Sequence, residues 1–116
     1  RTLTEAKALQ VAAMRDARDA QINGTFTWDG STFDADQVSQ TRLLGLRVEA
    51  SDPANALKTW GWRLADNSWR SLSATDALGV WAALTAHIEA AFGAFAAREA
   101  AINAATTAAE VDGVTW

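Results

Sequence analysis

A chain of 116 residues is long enough for one domain with one core and too short for two ordinary domains and a linker. Nearly half of it is hydrophobic, but Ala supplies much of that share. Six Trp and four Phe therefore carry most of the bulky apolar surface, each ring removing roughly 150–250 Å² from water when buried. A formal net charge of −4 argues against a phosphate-neutralising surface, and the absence of Cys excludes disulfides, thiolate metal sites and a Cys nucleophile.

Thr2 and Glu5 stand in capping-box spacing ahead of Ala6, Leu9, Ala13, Ala17 and Ala20, with Met14 beside them, and Asn23-Gly24 supplies a left-handed stop. The spacing predicts a helix over Leu3–Ile22. Thr25 to Asp34 follows as two alternating runs around Asp29-Gly30, the strongest short-range signal for a hairpin. A two-residue turn sets Trp28 opposite Ser31, Thr27 opposite Thr32 and Phe26 opposite Phe33, so the aromatics share one face. Asp34 and Gln37 repeat the capping-box spacing and open a second helix through about Glu49, with Val38, Thr41, Leu44, Gly45 and Val48 on its expected inner side. It ends ahead of Pro53, whose ring disfavours a helical residue before it.

A second hairpin is predicted from Leu57–Ala65 and Ser68–Leu72 around Asp66-Asn67. A two-residue turn pairs Leu64 with Trp69 and places Trp60, Trp62, Leu64 and Trp69 on one face, with Arg63 and Arg70 facing each other on the opposite one. Ser73 and Asp76 cap a last helix that runs to about Ala109, roughly 50 Å at 1.5 Å per residue. Leu78, Trp81, Thr85, Ile88, Phe92, Phe95, Glu99 and Ile102 recur at three and four along it, the seam of an amphipathic helix. Residues 110–116 read as extended. The fold class is therefore α+β: three helices and two antiparallel hairpins with a long C-terminal amphipathic helix, one domain over residues 1–116. No apolar run approaches the roughly 20 residues that cross a bilayer, so no membrane insertion is expected. Arg1-Thr2-Leu3-Thr4-Glu5 does not open a signal peptide. A chain opening at Arg1 without Met suggests a piece of a longer polypeptide.

Chemistry is hard to find. His87, the only histidine, has no acid at i+4, and Asp29, Asp34 and Asp36 already serve a turn and a cap, so neither a metal site nor a calcium loop is expected. No nucleophile elbow, Ser-x-x-Lys pair or phosphate-cradling glycine loop occurs. No cofactor is expected, and the chain reads as no enzyme. The tryptophans of the second hairpin with Arg63 and Arg70 offer the one alternative, a stacking platform for sugars or single-stranded nucleic acid. The opposite-face arrangement makes the rings core and leaves the Arg63–Arg70 pair seeking acidic partners.

The run Gly24-x-Phe26-x-Trp28-Asp29-Gly30-x-x-Phe33-Asp34-Ala35-Asp36-x-x-Ser39 carries a resemblance, together with Ala65-Asp66-Asn67, Leu72, Leu78, Leu84, His87-Ile88 and a late Ala-rich stretch with Thr106, Thr107 and Glu110. The chain resembles a phage tail-associated domain of unknown function, the family numbered 4376, found in tail-fibre and tail proteins of phages and prophages. The resemblance covers nearly the whole chain and carries no catalytic residue. It implies a non-enzymatic structural component of a bacteriophage tail, made in the host cytoplasm and located in the virion, that assembles with other tail proteins. The alternatives are a tail-fibre assembly chaperone, or a carbohydrate or host-receptor module that binds a surface glycan through Trp60, Trp62 and Trp69. No nucleic acid is expected as partner. Because the last helix exceeds the ~30 Å of a small domain, Phe92, Phe95 and Ile102 are expected at an interface with a partner or a sister chain. Arg63 and Arg70 are candidates for the same contact. A homo-oligomer follows, with a trimer favoured through the resemblance to fibre proteins.

Overall fold

A computed structural model describes residues 1–116 as four helices and two separate two-stranded antiparallel sheets, an α+β fold. The elements run α1 (Leu3–Ile22), β1 (Thr25–Trp28), β2 (Ser31–Asp34), α2 (Gln37–Ala50), a 3₁₀ turn (Pro53–Asn55), β3 (Thr59–Arg63), β4 (Trp69–Ser73), α3 (Ala74–Ala104) and α4 (Ala108–Asp112). The chain divides into two compact units, and α3 contributes to both. Residues 22–88 form one unit, and residues 1–21 with 89–116 form the other. Each has its own cluster of buried side chains where the composition suggested a single core.

In the first unit the predicted β1–β2 register is the one observed: Phe26 pairs with Phe33, Thr27 with Thr32 and Trp28 with Ser31. Asp29 and Gly30 both take positive φ, 46° and 76°, which is the primed turn that matches strand twist. Phe26 and Phe33 stack at 5.4 Å between centroids and enter a core with Leu43, Leu46, Leu64, Leu72, Val80 and Leu84. Asp34 does not cap α2. It stays on β2 opposite Thr25, and Asp36 takes the cap position, accepting a hydrogen bond from the Ser39 hydroxyl.

The second hairpin departs from its predicted register by one residue. Arg63 pairs with Trp69, Trp62 with Arg70 and Trp60 with Leu72. The cause is the loop, which holds three residues where Asp66-Asn67 suggested two. Leu64 N–H donates to the Ser68 carbonyl at 2.8 Å, Asn67 N–H closes a turn on the Leu64 carbonyl at 2.9 Å, and Asn67 adopts a left-handed φ of 68°. That is a type I turn followed by a bulge residue, which Asn tolerates as Gly does. Hydrogen bonds from the Ser68 hydroxyl and then from its backbone N–H hold the Asp66 carboxyl below the usual aspartate value, so the carboxylate is an internal brace of the loop. A one-residue slip sends every side chain of one strand to the other face. Trp60 and Trp62 thus remain on the core side with Leu64 and Leu72, whereas Trp69 turns outward with Arg63.

Two helices also bury other faces than their patterns suggested. On α2 the buried residues are Leu43, Leu46 and Ala50, leaving Val38, Leu44 and Val48 in solvent. On α3 the seam is displaced in its first half onto Ala77, Val80 and Leu84, and Leu78 is exposed. Ser73 and Asp76 form the expected capping box, each backbone N–H donating to the other's side chain at 3.0 Å. The helix stops at Ala104, short of the predicted Ala109. Thr107 caps a separate helix α4, its hydroxyl accepting from Glu110 N–H, and Glu110 reaches back to Thr106 N–H at 2.7 Å. A capping box inside an apolar run ends one helix by starting the next.

By length and composition α3 could cross a membrane, with a mean hydropathy of 1.3 over an 18-residue window. This corrects the reading that no stretch is long and apolar enough. Ala dominates that window, and a core helix meets the same test. In the second unit α1 spans its predicted bounds, with Glu5 N–H bonded to the Thr2 hydroxyl. Its Ala6 and Met14 pack with Phe95, Ile102, Ala105 and Val111.

Candidate functional site

The register slip creates the most distinctive surface in the first unit. Trp69 stands on the outward face of β4 with 67% of its area in solvent. At ~25 cal/mol per Å² and roughly 150–250 Å² per indole, leaving that much uncovered forgoes about 3 kcal/mol. The ring lies near Gly61, where an added Cβ would be in ordinary contact at 3.8 Å. The Arg63 guanidinium lies 4.8 Å from the ring centroid. Beside this pair opens a groove of about 240 Å³, completed by Trp62 on β3, Asp34 at the end of β2, and Ser39 and Arg42 on α2.

The polar groups there are spent unevenly. Ser39 donates to Asp36, whereas the Arg42 guanidinium and the Asp34 carboxylate make no hydrogen bond or ion pair within the chain. The groove therefore combines an aromatic surface with two cations and one anion. Continuing around α2, helical geometry carries the surface from Arg42 to Val38, Gly45, Thr41, Val48 and Leu44, a stripe on the side away from Leu43 and Leu46. Val38 and Val48 are 57% and 60% exposed.

The other predicted residues divide sharply. Arg70 is not an outward partner of Arg63. It lies on the inner side opposite Trp62 and joins the two hairpins, donating to the Asp29 carbonyl at 2.9 Å and the Ser31 hydroxyl at 2.8 Å, pairing with the Asp29 carboxylate and lying 4.7 Å from the Trp28 ring. The acidic partner expected for it thus comes from the same chain. Trp60 is a strut: its indole N–H donates to the Glu49 carboxylate at 2.8 Å, and Lys58 sits over the ring. His87 is half-buried with its Nε2 3.3 Å from the Ile22 carbonyl, beside Phe26. A broader groove of about 540 Å³ near Gly30, Ser31 and Leu64 includes Asp66, whose Oδ1 accepts from both the backbone N–H and the hydroxyl of Ser68.

In the second unit Phe95 and Ile102 are buried, which corrects their expected place at an interface. The break before α4 turns the chain back so that Val111 and Ala105 join Ala6 and Met14 in covering them. Phe92 remains 48% exposed, with Arg18 lying 4.8 Å from its ring and equally near that of Phe95. No group of three or more His, Asp or Glu side chains is placed to hold a metal ion.

Sequence reasoning found Arg63 and Trp69 but assigned them to different faces, and it missed Asp34, Ser39 and Arg42 as parts of a groove. The available signal was Asn67, which accepts a left-handed conformation and so permits a three-residue loop, together with Gly61, whose missing side chain leaves room beside a cross-strand Trp.

A family model described as Domain of unknown function (DUF4376) matches residues 5–115. The chain belongs to that family. No curated protein and no solved structure matches it. Family membership spans both units, so the Trp69 groove and the α2 stripe lie within the matched region. It assigns no residue a role.

Proposed function

We propose that this DUF4376 chain is a non-enzymatic docking module of a bacteriophage tail, part of a fibre, tip or connector, and that it holds its partner through the outward face of α2. The observation that carries the docking part is the stripe of Val38, Leu44 and Val48, exposed on a helix whose opposite side already supplies Leu43, Leu46 and Ala50 to the core. Apolar residues scattered singly over a surface need no explanation, whereas a row on one helix face suits another protein. Gly45 within the stripe has nothing within 4 Å of a would-be Cβ, which leaves space for close approach of a second backbone. The tail context is supported by the sequence resemblance alone, and Phe92 offers a second exposed aromatic in the other unit.

The test is incorporation. Mass spectrometry of purified tail particles from the phage or prophage that encodes the chain should detect it, and Val38→Glu with Val48→Glu should remove it from the particle while leaving the circular dichroism and melting of the isolated chain unchanged. Absence of the unmodified chain from finished particles, combined with its requirement during fibre folding, would instead favour the assembly chaperone. Full incorporation of the double variant would reject the α2 face.

A further inference from the structure

We propose that the groove beside Trp69 binds a pyranose ring bearing a carboxylate, a uronic-acid unit of a polysaccharide. This site is independent of the tail-docking reading. Three observations converge on that class of ligand. An indole with 67% of its area in solvent while Arg63 already lies against it offers a flat apolar surface, which matches the C–H face of a sugar ring. Arg42 and Asp34 flank the groove with no partner in the chain, so one can donate to a carboxylate and the other can accept from ring hydroxyls. The groove, at about 240 Å³, lies below the roughly 300–1,000 Å³ of pockets for drug-sized ligands, so it seats a single ring of a chain that continues into solvent.

The charges decide between ligand classes. Two guanidiniums against one carboxylate favour an acidic sugar over a neutral one, because a planar guanidinium meets a carboxylate with paired hydrogen bonds. A nucleic acid strand would need a basic track along its phosphates, but the chain carries a net charge of −4 and Asp34 stands in the groove itself.

The experiment follows the six tryptophan indole N–H resonances of the intact chain by ¹⁵N NMR while trigalacturonate, maltotriose, triglutamate or oligothymidylate is added at roughly 10 mM, enough to occupy about nine-tenths of a site with a Kd of about 1 mM. Trigalacturonate should move the Trp69 resonance most, with maltotriose and triglutamate each binding roughly tenfold more weakly because each offers only half of the match. Trp69→Ala should abolish saturable binding, and Arg42→Gln should weaken trigalacturonate roughly tenfold while leaving maltotriose unchanged. No displacement of Trp69 by trigalacturonate would overturn the assignment. So would an equal response to triglutamate, a stronger one to oligothymidylate, or binding that survives both substitutions in chains whose remaining indole resonances keep their positions.

Discussion

Replacing Gly79 with alanine should fail to stabilise the protein, although it places the best helix former in the interior of α3. Propensity alone favours Ala over Gly by about 1 kcal/mol. At Gly79 the added Cβ would stand 2.8 Å from Trp28 Nε1, closer than a Cβ approaches an unbonded heavy atom, and a tight 3.1 Å from both Cε2 and Cζ2, so the ring would have to shift. The indole cannot step aside freely. Phe33 meets it edge-on with centroids 6.4 Å apart, and Arg70, itself tied to Asp29 and Ser31, lies 4.7 Å from the ring. Overpacking of this kind costs about 1–3 kcal/mol. Gly45 provides the control, because it lies in a helix of the same unit with open space around it. Gly45→Ala should gain up to about 1 kcal/mol, and Gly79→Ala should fall about 1–3 kcal/mol below it. Urea unfolding followed by circular dichroism and by tryptophan fluorescence gives both values. Equal stabilisation by the two substitutions would mean that Trp28 does not pack on Gly79, and the placement of the first hairpin on α3 would be wrong.

The hairpin register makes Trp69→Ala cost only about 1–2 kcal/mol, because most of the ring is already in solvent, whereas Leu72→Ala, fully buried three residues later, should cost about 2–5 kcal/mol. The reverse order of losses in denaturant titrations, Trp69→Ala the larger, would restore the two-residue turn, because the two residues lie on opposite faces of β4 in either register. Gly30→Val should destabilise by at least about 1–2 kcal/mol, because Val resists the φ of 76°, and an unchanged melting temperature would argue against the primed turn. In acid, α4 should loosen. Hydrogen bonds from Thr106 hold the Glu110 carboxyl below the usual glutamate value, so the stabilisation is present above that value and is lost as pH falls through the depressed one. Amide exchange over residues 108–112 should rise in that window and become insensitive to it in Glu110→Gln; a Glu110 titration at or above the usual glutamate value would contradict the brace.

Local signals with one physical meaning were legible in the sequence. Thr2 with Glu5, Asp29-Gly30 and Ser73 with Asp76 each specify a cap or turn through a short hydrogen-bonding pattern, and each stands where the pattern puts it. Signals with two solutions were misread. Asp66-Asn67 fits either a two-residue or a three-residue loop, and β4 carries a large apolar residue at each parity, Trp69 and Leu72, so its pattern gave no preference. Helix α2 carries apolar residues on both sides, so periodicity could not separate Leu43 and Leu46 from Val38 and Val48. In α3 the buried positions 77 and 91 are Ala, which hides the seam from a search for large side chains, and the larger Leu78 and Phe92 drew attention to a neighbouring stripe. The groove was illegible because its assembly depends on the one-residue slip, which the ambiguous Asp66-Asn67 loop conceals.

The outward face of α2 as a docking surface is tested most directly by photo-cross-linking. A benzophenone amino acid at Val48, with a control at the exposed Asp16 on α1, would be irradiated in assembling tail particles. A cross-link from Val48 to one defined tail protein, absent from Asp16 and lost when Val38 is changed to Glu, is the expected result. Cross-links of equal yield from both positions, or none from Val48 in particles that contain the chain, would contradict it.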